Sequence, residues 1–346
     1  MRYNNNMGKI LKRYHKNQAI LELENDFLRL VCTNYGCTIL KLIVKENNGT
    51  EKDVVLGYDT LEEYQPNDLY LGAIVGRTAN RIAKGHFRIR DKEYQLPINN
   101  GPNCNHGGVT GFTNRVFDFA VLDNKIRFHY FSKDGEEGYP GNLDAYVIYE
   151  LKDNSLICTY QATTDQDTII NMTNHSYFNL SGTPSYIGNH LLQVEASHFG
   201  PCDSTGLFTG EFKAVAGTPF DFRTLRSLDS SLQSEDEDLK LGNGIDHTFL
   251  FHKKEDQVTL VDPESKLTLK VSTTLPACQI YSANYLDGRK GKNGSTNSFR
   301  YGLCIETGYL PNSINYERNS PTLLTPEKQY KATTVFTFEV EENENE

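Results

Sequence analysis

LTLKVST, residues 267–273, and VFTFEV, residues 335–340, alternate side-chain character with a period of two. Leu267, Leu269 and Val271 fall on one side of the first run, and Phe336, Phe338 and Val340 on one side of the second. A strand with one face in a core and the other in water has this pattern, and antiparallel sheets are where such strands occur. Short runs of strand character recur along the whole chain, at 20–23, 28–32, 38–44, 126–130, 146–151, 156–162, 191–196, 258–261 and 279–281. Turn-forming residues separate them: DN at 123–124, KDG at 133–135, PG at 140–141, DN at 153–154 and DP at 262–263. Helical candidates are brief and few, 61–64, stopped by Pro66, and 224–233. The pattern predicts an all-β protein, a large antiparallel β-sandwich or open barrel.

The chain has 346 residues, 38% of them hydrophobic, with a mean hydropathy of −0.54, which is the make-up of a soluble globular protein. Thirty-five basic against 45 acidic residues leave a formal charge of −10. That sign disfavours nucleic-acid backbones and anionic membranes, and makes a strongly anionic substrate less expected unless a local basic pocket overrides it. No run of 18 apolar residues predicts a membrane helix. The opening MRYNNNMGKILKRYHK lacks the apolar stretch of a signal peptide. Seven cysteines lie scattered at 32, 37, 104, 158, 202, 278 and 304 without a CxxC pair. Reduced, buried thiols in the cytoplasm are expected, and no metal site. No repeat or Pro- or Ser-rich linker divides the chain. One domain spanning 1–346 is expected, with its core over about 18–340 and fraying at the Asn-rich start and the acidic EVEENENE end.

Five polar islands do not fit strand or helix periodicity. NMTNHSYFNLSG (171–182) is the densest, and it places His175 on or beside a loop. GRTANRIAKG (76–85) offers Arg77, Asn80 and Arg81, and an arginine fork suits vicinal hydroxyls or carboxylates. NGPNCNHGG (100–108) sets His106 before two glycines, which permit close approach of a ligand to the backbone. GIDHTFL (244–250) supplies Asp246, a carboxylate able to hold two hydroxyls. CIETGYLPNSIN (304–315) sets Glu306 after an apolar run, where partial burial would make it basic. A histidine can hold and release a proton near neutrality, as general acid catalysis requires. Read singly, each residue has a plain alternative: a solvated loop charge, a turn histidine, a hydrogen-bonded core histidine, an N-cap aspartate or a strand-end glutamate.

Together, and in this order, the islands resemble the aldose 1-epimerase (mutarotase) family, the galactose mutarotase type in particular. GRTANRIAKG, NCNHGG, NHSYFNLSG, IDHTFL and CIETGYLPNSIN each match a family segment, as do SKDGEEGYPG (132–141) and TPFDFR (218–223). The resemblance runs from about Gln18 to Phe338. It implies a β-supersandwich with an open cleft and a cofactor-free interconversion of the α and β anomers of a free hexose such as galactose or glucose. Glu306 matches the family's general base and His175 its general acid. Arg81, His106 and Asp246 match substrate-binding positions, with Asn80 and Gln279 as pocket neighbours. Gly308 stands where the family often has Gln, and Asn312 where Asp often follows Pro, which bears on sugar preference.

The implied chemistry removes a proton from the C1 hydroxyl and adds one to the ring oxygen. Ordinary values of about 4.3 for Glu and 6.5 for His leave a narrow window for a Glu carboxylate beside an imidazolium. The site is therefore expected to raise His175. Rival readings are a hexose-6-phosphate 1-epimerase, a glycosidase using Asp246 and Glu306 as its two carboxylates, and a non-catalytic sugar-binding protein of the same fold. The expected partner is a small sugar, with no nucleic acid and no membrane, and the chain is expected to be a monomer or homodimer.

Overall fold

Leu267, Leu269 and Val271 are fully buried, while Thr268 and Lys270 between them are partly exposed. The same alternation holds along Tyr330–Val340, where Phe336 and Phe338 are buried. The two strands pair antiparallel with Leu269 opposite Phe338 and Val271 opposite Phe336. Cross-strand apolar pairs of this kind stabilise a sheet by about 0.2–1 kcal/mol each beyond burial. The computed structural model describes residues 8–341. The expected fraying of the ends concerns residues mostly outside that range.

Among the described residues there are thirty strands and two α-helices, of four and five residues. Three antiparallel sheets organise them. A nine-stranded sheet takes its strands from Asp118–Leu122 through Ser155–Thr164, then Tyr330–Val340, Leu267–Thr273, Val258–Asp262, Leu191–Val194 and Arg226–Ser227. A six-stranded sheet runs Tyr177–Phe178, Leu303–Gly308, Ala277–Tyr281, Asp246–Phe251, Ala196–Gly200 and Lys213–Ala214. A five-stranded meander covers Lys9–Arg13 to Glu51–Asp53. One hydrophobic cluster joins all three, including Leu21 and Leu30 of the meander, Tyr149 and Leu269 of the large sheet, and Ile280 and Ile305 of the six-stranded one.

All the expected strands are present, with boundaries shifted by a few residues. The helical expectation over 224–233 shrinks to Asp229–Leu232. Arg226–Ser227 instead pairs with Leu191–Leu192 as an edge strand, leaving Leu225 exposed. The second helix, Glu237–Leu241, was not foreseen; the Asp236 side chain caps it by accepting from the amides of Asp238 and Leu239. At 61–64 the chain makes a single 3-10 turn over Glu62–Tyr64.

Candidate active site

The strand Leu303–Gly308 is buried at all six positions. Its Leu303 and Ile305 join the hydrophobic core. On a strand, residues two apart share a face, so Cys304, Glu306 and Gly308 look the other way. The register then lays out a grid on that face. Cys304 lies opposite Tyr177 on one side and Tyr281 on the other, and Tyr281 lies opposite Asp246. One step along, Glu306 lies opposite Gln279, and Gln279 opposite Thr248. The polar rows interlock: Thr248 Oγ1 donates to Gln279 Oε1 at 2.6 Å, and Gln279 Nε2 donates to Asp246 Oδ1 at 2.7 Å.

Loops cover the grid with the remaining candidates. His175 sits between the bridges Thr173–Asn174 and Tyr177–Phe178, buried, with Nε2 3.4 Å from Glu306 Oε1. Its other nitrogen, Nδ1, is 3.5 Å from Cys304 Sγ. Tyr177, Tyr281 and Tyr70 surround the ring at centroid distances of 5.0, 6.1 and 5.7 Å. Tyr70 also packs on His106 at 4.5 Å, and the two imidazoles meet edge-on at 5.3 Å.

His106 is held by the segment that carries Asn80 and Arg81. Cys104–Asn105 pairs antiparallel with Arg81–Ile82, and the His106 amide donates to the Asn80 carbonyl at 3.1 Å. The Asn80 amide donates to His106 Nδ1 at 3.2 Å. A ring nitrogen that accepts carries no hydrogen, so neutral His106 presents Nε2–H to the cleft. The glycines after His106 serve chain against chain. Gly107 has φ +86°, and a Cβ there would lie 1.8 Å from the Gly76 carbonyl oxygen. Gly108 approaches the Glu137 carboxylate in the same way. The expectation that these glycines admit a ligand is replaced by this tight packing.

Arg77 and Arg81 separate. Arg81 is part-exposed, donates to Asn100 Oδ1 and the Gly206 carbonyl, and its charge bears on both Asp246 and Glu306. Arg77 is fully buried and points away, donating to Ser132, Thr168 and the carbonyls of Ser132, Lys133 and Pro140. It anchors the segment and offers nothing to a ligand, neither the hydroxyl-binding fork nor the solvated loop charge of its two sequence readings.

Burial sets the electrostatics. It pushes Glu306 well above the usual carboxylate range, Asp246 adding to this and Arg81 opposing it. Burial also raises Asp246. The same cause pulls His175 down to about 4 and His106 well below its ordinary value. The expected raising of His175 is therefore reversed. Loss of water around the buried ring outweighs what its neighbours do for the charged form. Both shifts favour the uncharged forms of the two groups.

Ligand atoms of His106, His175 and Glu306 all lie within 4.8 Å of one another, a two-histidine, one-carboxylate trio that sequence spacing could not foresee. The donor set does not suit an ion, because the Asn80 amide occupies His106 Nδ1 and fixes the hydrogen on Nε2.

The two departures beside Glu306 have local reasons. Asn171 brackets Tyr309, accepting from its amide and donating to its carbonyl, and a Cβ on Gly308 would come within 3.2 Å of the Asn171 amide oxygen. Asn312 has φ +57°, a conformation asparagine tolerates, and its Oδ1 accepts from the Ala83 amide. A cavity behind Glu306 is lined by Asn80, Thr173, Gln279, Tyr309 and Pro311. A wider groove of about 880 Å³ among Phe27, Lys45, Lys52 and Phe338 contains none of the acid, base or binding candidates.

Six of the seven candidates, Arg81, His106, His175, Asp246, Gln279 and Glu306, thus converge with their side chains, and Asn80 contributes through its backbone. Tyr70, Tyr177, Tyr281 and Cys304 were not anticipated. For three of them the signal lay two residues away, beside His175, Gln279 and Glu306, on a strand face that only the register identifies. A sequence model of the aldose 1-epimerase family matches residues 19–337. The pig (Sus scrofa) galactose mutarotase is 45% identical over 324 residues, 92% of this chain and 93% of that protein. The Escherichia coli K12 aldose 1-epimerase is 36% identical over 313 residues, 88% and 90% of the two chains. Among solved structures, a galactose 1-epimerase from Lactobacillus acidophilus superposes with a TM-score of 0.85 at 31% identity, covering 97% of this chain and 99% of its own. With the β architecture and the full length of the match in agreement, the chain belongs to the aldose 1-epimerase family and is an isomerase.

Proposed function

We propose that the protein interconverts the α and β anomers of free hexoses, D-galactose and D-glucose among them, with Glu306 as base and His175 as acid. The observation that carries this is the 3.4 Å between His175 Nε2 and Glu306 Oε1. An acid and a base that close together serve two oxygens bonded to one carbon. In a pyranose those are the C1 hydroxyl and the ring oxygen. Glycoside hydrolysis instead sets two carboxyl groups about 5–9.5 Å apart on either side of the scissile bond.

In the opening step Glu306, as carboxylate, takes the C1 hydroxyl proton while His175 Nε2–H gives its proton to the ring oxygen. The bond from C1 to the ring oxygen breaks, leaving an aldehyde, a protonated Glu306 and a neutral His175. Rotation about C1–C2 and the reverse transfers close the ring on the other face. Each positioned proton transfer is worth about 10²–10⁴ in rate. The charge states fit this direction. Burial favours the neutral pair, so ring opening turns two desolvated charges into two neutral groups. The Nε2–H of His106, the guanidinium of Arg81 and the carboxylate of Asp246 are suited to hydroxyls and orient the ring. No cofactor enters these steps.

A phosphorylated sugar is a poorer fit. Arg81 is already the counter-charge to Asp246 and Glu306, and a phosphate would add negative charge to the same cleft. The seven cysteines, all free and buried, support a reducing cytoplasmic setting. No helix among the described residues is long and apolar enough to cross a membrane. The shared core supports reading the chain as one domain. Polarimetry of freshly dissolved α-D-galactose and α-D-glucose tests the function. Optical rotation should relax faster in proportion to added protein, including after exhaustive EDTA dialysis. A rate equal to buffer alone would overturn the proposal.

A further inference from the structure

Two side chains of one strand bracket the imidazole of His175. Glu306 meets Nε2 at 3.4 Å and Cys304 meets Nδ1 at 3.5 Å. Residues two apart on a strand share a face about 6.6 Å apart, enough to span a five-membered ring edge to edge. Cys304 is fully buried, in one cross-strand row with Tyr177 and Tyr281, whose rings wall the same imidazole. Nε2 faces the Glu306 carboxyl and Nδ1 faces the Cys304 sulfur, so the sulfur is the side-chain group placed to bear on which nitrogen carries the hydrogen.

We propose that Cys304 is a positioning residue for His175: its sulfur accepts from Nδ1, holds the hydrogen there, and so leaves Nε2 as the nitrogen that exchanges a proton with the sugar. The inference rests on His175 being the acid. The choice of sulfur has a chemical consequence. Many catalytic histidines orient Nδ1–H with a carboxylate, which stabilises the imidazolium. Burial keeps the Cys304 thiol protonated, so it adds no charge beside Nδ1. The ring is held in one tautomer without its proton being held more tightly, which suits a group that must give that proton up. A thiol is a weak acceptor, so the ring is oriented without a strong bond at Nδ1.

The test compares the wild type with C304A and C304S, using ¹⁵N NMR of histidine-labelled protein alongside polarimetry and thermal unfolding. In wild type near neutral pH, His175 should show a protonated Nδ1 and an unprotonated Nε2. C304A should mix the two tautomers, lower kcat about tenfold or more, and leave KM within threefold. C304S, which keeps an acceptor, should recover most of the loss. Wild-type kcat and an unchanged His175 spectrum in C304A would overturn the proposal. So would a fall in kcat with the spectrum unchanged, since that is loss of packing alone. If the wild type fails to mutarotate sugars, the functional reading fails by that result, and the NMR comparison still decides the role of Cys304. If C304A does not fold, C304V, which fills the space without an acceptor, carries the same NMR comparison.

Discussion

The strands Leu267–Thr273 and Leu303–Gly308 differ in how their two faces are occupied. The first alternates buried and partly exposed residues along its whole length. The second is buried throughout. In the first, the polar face meets water, so Thr268 and Lys270 are chosen for little more than solubility. In the second, loops carrying His175, His106 and Arg81 shut the polar face away, so Glu306 loses its water without gaining a full ion pair. The scaffold strand therefore contributes stability, and the covered strand contributes chemistry at the expense of stability, because a desolvated carboxyl costs free energy wherever it is charged.

Substitutions on the two strands should separate those contributions. The largest effect should be Glu306→Gln. It keeps the shape and removes the base, so kcat should fall about 10³-fold or more with sugar binding within about tenfold and thermal stability retained. A near-normal kcat, read by polarimetry, would break the comparison. His175→Asn should lower kcat by at least about 10². A loss confined to KM would make His175 a binder and pass the acid role to His106.

On the scaffold strand, Leu269→Ala should do the reverse. Leu269 is fully buried opposite Phe338, and truncation should cost about 2–5 kcal/mol of stability with kcat unchanged below the melting range. Denaturant unfolding measures it. Lys270→Ala, on the exposed face of the same strand, should cost no more than about 0–1 kcal/mol, since its 2.8 Å pair with Glu339 lies in solvent.

A finer test uses pH. The pair works while it holds one proton. It gains a second as pH falls through the lower value, which the depressed His175 places near 4. It loses the last as pH rises through the upper value, which the raised Glu306 moves upward. The profile of kcat/KM should be a plateau across neutrality with limbs on both sides, each belonging to the pair. This reverses the assignment expected from ordinary values, in which Glu306 set the acid limb and His175 the alkaline one. A decline already under way between pH 7 and 6 would show that His175 is not depressed.

The strands of the large sheet were legible because their information is local. Period two in LTLKVST and VFTFEV follows from backbone pleating, and turn pairs such as Asp153-Asn154 end the runs. The islands around His175 and Glu306 were legible as exceptions to that period, and their order along the chain pointed to the family. The 224–233 segment was misread because an edge pairing with Leu191–Leu192 outweighs a weak helical preference.

Arg77 and Arg81 mark the limit. They stand four residues apart in one polar segment, yet one is sealed among carbonyls and the other faces the cleft. Nothing in GRTANRI distinguishes them, because the difference is made by what packs above them. The same holds for the 3.4 Å between His175 and Glu306, for Cys304 against Nδ1, and for a histidine lowered where a raised one was expected. The sequence by itself determined the strands, the all-β class, the family and which residue types were available for proton transfer. The tertiary structure alone decided which of them meet, which nitrogen of His106 carries its hydrogen and which way burial shifts Glu306 and His175. Periodicity and turns depend on neighbours along the chain, whereas contact and desolvation depend on everything the fold brings into the surrounding few ångströms.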